Sequence, residues 1–142
     1  MVLKRDSIIE RLKELDTVLQ ELNQYTSLTE EDIRADMSQR WIIERGLIAA
    51  ASLILDVADH ILVGQYGIHT TTYEESLLRL QDKKVISEPL YQNLREIGRL
   101  PQHPGASLSR DRSPPGMGKL SKGMNTFLQF AQEILSWLEK QE

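Results

Sequence analysis

Residues 41–62, WIIERGLIAAASLILDVADHIL, decide how the chain is read. The run holds no proline, and its apolar residues recur at steps of three and four on two faces at once. Trp41, Ile48, Ala51, Leu55, Ala58 and Leu62 continue a side begun by Ile33 and Met37, while Ile43, Leu47, Ala50, Ile54, Val57 and Ile61 fill a second. Two apolar faces on one helix mean burial from more than one direction, so the segment reads as the central helix of a bundle. Upstream, Thr29 followed by Glu30, Glu31 and Asp32 supplies a capping hydroxyl and first-turn acids. The spacing therefore predicts one long helix from Thr29 to about Val63, ended by Gly64 and Gly67. On a wheel of about 100° per residue, Arg45, Ser52, Asp56 and Asp59 share a narrow sector, with His60 beside it. A polar strip on a buried helix needs partners, and the i,i+4 spacing of Asp56 and His60 suits a structural hydrogen bond.

Outward from that helix the chain keeps the same period. Ile8, Leu12, Leu15, Leu19 and Leu22 form one stripe of a helix over about Leu3–Leu22, followed by a polar turn from Gln24 to Leu28. Thr72 is the expected N-cap of a short helix over Tyr73–Gln81, and Ser87-Glu88-Pro89 opens another through Leu90, Leu94 and Ile97. Leu120, Met124, Phe127, Leu128, Ala131, Leu135 and Leu138 predict a closing helix. No long strand-like alternation occurs, so the expected class is all-α: an up-and-down bundle of four to five helices, in one domain spanning residues 1–142. The second side of the long helix and the closing helix carry more apolar surface than one small bundle can cover, which predicts a homodimer.

With 142 residues, 40% hydrophobic and 27% charged, the chain can bury a real core. Its net charge of −4 and pI near 5.4 give no global basic field, so a nucleic-acid site would have to be a local cluster of Arg and Lys. The absence of cysteine removes disulfides, thiol catalysis and zinc-thiolate sites, and fits a reducing cytoplasm. No apolar run is expected to reach the roughly 18 residues of a membrane span, and MVLKRDSIIE lacks the long apolar core of a signal peptide. A cytoplasmic protein with neither membrane nor DNA as a partner is expected.

One segment breaks the pattern. Gly98–Lys119, GRLPQHPGASLSRDRSPPGMGK, holds Pro101, Pro104, Pro114 and Pro115 among the chain's five prolines and four of its eight glycines. Proline removes a donor and clashes with the preceding turn, so the helix arriving from Leu90 must stop near Leu100 and 101–119 reads as an irregular, mobile loop. Read one nucleotide later, the codons for Pro101–Leu108 admit Arg-Asn-Ile-Leu-Val-His-Leu-Tyr, and Met117-Gly118 is forced to Trp. That reading removes every proline and restores apolar helical character.

Candidate chemistry is sparse. Of His60, His69 and His103, only His103 lies among arginines: Arg95, Arg99, Arg110 and Arg112. A histidine that moves a proton and an arginine that holds a phosphate suit phosphodiester cleavage without a metal, which makes Arg99 and His103 the catalytic candidates. The competing reading is a solvated loop that happens to contain both. Arg40 and Arg45, flanking Glu44, read equally as RNA phosphate contacts or as surface salt-bridge partners. Neither a metal ligand set nor a cofactor motif is found.

Residues 41–62, TYEESLLRL, ISEPLYQNLREIGRL and the closing helix together resemble the HepT-like toxins of the HEPN superfamily. The resemblance covers nearly the whole chain outside Pro101–Lys119. It implies a homodimeric, metal-independent endoribonuclease toxin acting on RNA, with tRNA the expected target. It further implies a minimal nucleotidyltransferase antitoxin, MntA-like, that silences the toxin by adding AMP to a motif tyrosine. The family motif, R-x4-H followed by x-Y, belongs directly after REIGRL, and the shifted reading of 101–108 is that motif. As written, Arg99 and His103 are spaced R-x3-H with no tyrosine after them, so this chain is expected to be catalytically impaired. An unopposed toxin kills its host, so surviving clones are enriched in such lesions. The alternative function is a non-catalytic helical dimer acting as a protein- or nucleotide-binding module.

Overall fold

A computed structural model of the chain describes residues 3–97 and 117–141, with Glu30 and 117–119 described by backbone alone. Its helices are α1 (Arg5–Asn23), α2 (Glu30–Ala35), α3 (Met37–Ile61), α4 (Tyr73–Asp82), α5 (Glu88–Ile97) and α6 (Met117–Glu139), with a π-helical turn at Leu62–Tyr66. The fold is all-α, as the apolar periods predict, and no strand occurs among the described residues.

The number of helices departs from expectation because the long second helix is two. Asp36 leaves helical space at φ −122°, ψ 100°, and its carboxylate accepts from the backbone N–H of Ser38 (3.0 Å) and Gln39 (3.2 Å). A short acidic side chain offers the backbone a local alternative to continuing the helix, so Asp36 ends α2 and caps α3. The other caps follow their residues. Thr29 and Asp32 exchange reciprocal side-chain to backbone bonds at 3.1 and 3.0 Å, and Thr72 accepts from Glu75 N at 3.1 Å. Gly67, at φ 67°, supplies the left-handed residue that terminates the π turn.

α3 is the centre, packed against α1, α2, α4 and α6. The α1 stripe Ile8, Leu12, Leu15, Leu19 and Leu22 is buried throughout. It meets Ile43, Leu47, Ala50, Ile54, Val57 and Ile61 in the one core cluster. Where the two helices approach, a Cβ on Gly46 would lie 2.5 Å from Leu22 Cδ2, so any larger residue there requires Leu22 to shift. The other face of α3 opens toward its N-terminus: Ile33 on α2 is fully buried, but Met37 and Trp41 on α3, expected in the core, are 62% and 54% exposed. On α6 the inward face is Leu120, Met124, Phe127, Phe130, Ile134, Trp137 and Leu138, while Leu128 and Leu135 face out.

α1 and α5 run opposite to α3, α4 and α6. Leu22 opposite Gly46 sets α1 against α3, and Ser87 opposite Glu133 with Glu96 opposite Lys122 sets α5 against α6. Gly123 beside Leu47 and Gln65 beside Gln141 align α6 with α3. α4 runs with α3, since Ser76 faces Asp59 and Lys83 lies over the Tyr66 ring. The Met37–Tyr66 helix is long and apolar enough to cross a membrane, with a mean hydropathy of 1.8 over its best window, which corrects the expectation that no segment reaches that length. Its buried side faces other helices of the same chain, as in the core helix of a bundle.

Candidate functional site

The two catalytic candidates, Arg99 and His103, lie outside the described residues, as does the expected mobile loop. What can be built is the frame on either side of that segment. α5 delivers the chain at Ile97 and α6 takes it up at Met117. The parallel alignment of α6 with α3 places this end of the bundle level with Arg40, Trp41 and Arg45.

Both ends of the frame are tied down. Leu94 and Leu120 are fully buried. The Tyr73 hydroxyl donates to the Leu94 carbonyl at 3.4 Å, joining α4 to the last turn of α5. Burial pushes the Tyr73 phenol well above its ordinary value, so it remains an O–H donor across the physiological range. One residue on, Arg95 Nε pairs with Glu74 Oε1 at 2.5 Å, a Coulombic contact without hydrogen-bond geometry. Lys122 Nζ reaches Glu96 Oε2 at 3.3 Å and ties α6 to α5. The Lys122–Glu96 pair is exposed and the Arg95–Glu74 pair partly so, and such pairs orient the helix ends more than they stabilise them.

Of the scaffold arginines, Arg40 bonds Glu44 through Nε at 3.1 Å, half-buried. Arg45 is exposed and turned into a groove of about 550 Å³ between α1 and α3, lined also by Val18, Glu21, Tyr25, Trp41 and Ile42. Five residues apart on a helix, the two guanidinium groups leave in different directions, and the structure does not bring them together.

The polar strip divides. Ser52 and Asp56 are exposed, so water satisfies them. Asp59 finds protein partners: its Oδ1 accepts from Thr70 Oγ1 at 3.4 Å and from Ser76 Oγ at 3.3 Å, and those two hydroxyls bond each other. Ser76, only 1% exposed, also has the Thr72 carbonyl within 3.0 Å, and the single proton on each hydroxyl is shared among these acceptors rather than given to all of them at once. The strip therefore fastens the loop and α4 to α3. Among the described residues no hydrogen bond joins Asp56 to His60, and no three His, Cys, Asp or Glu side chains are grouped to share a metal ion. Sequence reasoning missed a further clamp, in which Glu133 of α6 accepts from Ser87 N (2.7 Å) and Ser87 Oγ (3.0 Å) at the start of α5. Ser87 was legible as a helix start, but its partner lies 46 residues away.

The sequence profile of the family described as ribonuclease HepT-like matches residues 15–100, well over half of the chain. The chain belongs to the HepT-like family. The match ends where the helix α5 run ends and the proline-rich segment begins. No curated protein matches the sequence. Among solved structures, a crystal structure of a toxin-antitoxin with AMP-PNP is similar to the HepT-like chain at a TM-score of 0.76 and 18% identity. It covers 93% of this chain and 99% of that one. So wide a coverage takes in α6, which the family profile does not reach, and at that identity it speaks for the fold.

Proposed function

We propose that this HepT-like chain is the toxin-side member of a toxin-antitoxin pair, an RNA-cutting scaffold whose catalytic segment is altered. The carrying observation is the coincidence of boundaries: the family match stops at residue 100, while the helical fold continues through α6. The proposed substrate is RNA, tRNA first, in the cytoplasm, and the proposed chemistry is metal-independent cleavage, with histidine moving the proton and arginine holding the phosphate. Two chains form the proposed working unit; exposed Trp41 and Ile42 on α3 and Leu128 and Leu135 on α6 supply surface for it. Arg40 and Arg45 are the proposed phosphate contacts of the scaffold. The proposed partner is an MntA-like nucleotidyltransferase, in keeping with the toxin-antitoxin assembly, bound to AMP-PNP, among similar structures. Without the motif tyrosine, this chain is a poor acceptor of AMP.

The test compares the chain as written with one whose residues 101–118 carry the shifted reading. Loss of positioned acid-base and electrostatic groups commonly costs about 100-fold or more in rate. Cleavage of tRNA by the repaired chain should therefore exceed that of the present chain by at least that factor. Equal cleavage by both, abolished in the present chain by His103→Ala, would make R-x3-H a working site. No cleavage by either would favour the non-catalytic binding module, a reading to which the open groove beside Trp41 lends support.

A further inference from the structure

The corner where α4 gives way to α5 holds a residue in a conformation that folding alone would give to glycine. Lys84, at φ 61°, is the one described residue other than glycine in the left-handed region. It follows the α4 C-cap, where Lys84 N donates to the Gln81 carbonyl and Val85 N to the Leu80 carbonyl, both at 2.9 Å. Those bonds need a left-handed backbone but no side chain, and glycine supplies it without pressing a Cβ against the neighbouring carbonyl. The chain uses glycine in that way at Gly67. At residue 84 it keeps a lysine that is exposed and, among the described residues, makes no side-chain hydrogen bond or ion pair.

Its charged neighbours are answered. Arg79 lies 3.9 Å from Asp82, and Lys83 stands over the Tyr66 ring. Lys84 instead borders a groove of about 560 Å³ between this corner and the last two turns of α6, and Lys140 lies on the same groove. Val85, Ile86 and Trp137, all buried, give it an apolar floor, and Gln81 and Gln132 also line it. Two carboxylates complete the lining. Glu133 turns its oxygens to Ser87 N, Ser87 Oγ and Gln129 Nε2, and Glu88 sits in the first turn of α5, where helix donors favour an acid. Neither pairs with a lysine among the described residues. From Glu133 to Lys140 is about 10 Å along α6, so the groove has an acidic end and a basic one.

We propose that this groove binds a small organic phosphate with a flat apolar body, of the size and kind of a nucleoside monophosphate, its phosphate held by Lys84 and Lys140 and its body laid on Val85, Ile86 and Trp137. Ammonium groups are compact charges suited to phosphate. The apolar floor rewards a body behind that charge, and amide side chains both donate and accept at the edge of a heteroaromatic ring. The acidic end repels phosphate and so sets the direction in which the molecule lies. The volume suits a small molecule rather than a folded RNA segment. Held left-handed for this purpose, Lys84 has a role that offsets its strain. The groove lies about 30 Å along α6 from Met117, at the other end of the bundle from the altered segment, and the inference does not depend on the toxin reading.

Isothermal titration calorimetry of the full chain with AMP, adenosine and inorganic phosphate provides the test. AMP should bind, and adenosine and phosphate should each bind about tenfold more weakly or worse, since one lacks the anion and the other the body. Lys84→Gly and Lys140→Gln should each weaken AMP by about tenfold or more. Lys83→Gln, one residue away but engaged with Tyr66, should change it by less than about threefold. In a Trp41→Phe background, Trp137 emission should change as AMP is added. Lys84→Gly should also keep a thermal midpoint no lower than that of the unmodified chain, because glycine is at ease at this φ. Absence of both heat and emission change at millimolar AMP overturns the proposal, as does unchanged AMP affinity in Lys84→Gly. Phosphate bound as tightly as AMP overturns it by removing the floor from the site, and an equal loss in Lys83→Gln does so by reducing the binding to general surface attraction. A midpoint lowered in Lys84→Gly would show that the lysine serves the fold of the corner, and would overturn the argument from strain on which the site rests.

Discussion

Where α4, α5 and α6 meet, the inner polar groups are answered from within the chain; along the exposed side of α3 polar groups are not. On the first side, Asp59 holds Thr70 and Ser76, Tyr73 holds the Leu94 carbonyl and Glu133 holds both polar atoms of Ser87. Beneath them Phe127 and Phe130 are completely buried. On the second side Trp41 and Ile42 are about half exposed, and Arg45 borders a groove that Glu21 also lines, with no ion pair formed between them among the described residues. The difference separates what folds this chain from what it presents outward. Changes on the first side should be read in stability, and changes on the second in association.

The sharpest check on the closed side is Phe127→Ala, which removes a fully buried aromatic ring from the α6 core. It should cost about 3–5 kcal/mol, seen as a lowered midpoint in urea at unchanged association once folded. Next comes Gly46→Val, where the closed core meets the open groove. The new side chain would press on Leu22, itself 2% exposed, and force it to repack, at an expected cost of about 1–3 kcal/mol. A Gly46→Val chain as stable as the original would mean that α1 and α3 separate easily, and the contrast between the two sides would blur.

Tyr73→Phe should cost about 1 kcal/mol at neutral pH by deleting one hydrogen bond. Its pH dependence is more telling. Burial raises the folded-state pKa of this phenol above its unfolded value, so the native chain holds a proton that the unfolded chain gives up. Stability from that source is intact below about pH 10 and declines as pH rises beyond it. Alkaline denaturation should therefore be shallower in Tyr73→Phe, and absorbance titration should show one tyrosine ionising late in the unmodified chain. The smallest effect is expected at the open side: Trp41→Gln should leave monomer stability within about 0.5 kcal/mol while weakening self-association. A large loss of stability there would place Trp41 in the core after all.

Much of this was legible in the sequence because it is local. The apolar stripe of α1, the caps at Thr29 and Thr72 and the left-handed stop at Gly67 each depend on residues within a turn of one another, and each stands where its pattern placed it. The family was legible too, from helices whose run the matching profile follows to residue 100. Asp36 was visible as a residue type, but its effect was not, since whether an aspartate faces solvent or caps a new helix depends on the angle at which α2 must meet α3. Three matters belonged to tertiary structure alone. Which of α3's two apolar faces is covered depends on where α1 and α6 lie, so Met37 and Trp41 fit the helical period and yet remain outside. Which member of the polar strip gains partners depends on a loop that returns along α3 to bring Thr70 and Ser76 to Asp59. And Glu133 finds Ser87 across 46 residues only because α5 and α6 run antiparallel, a relation that no local period encodes.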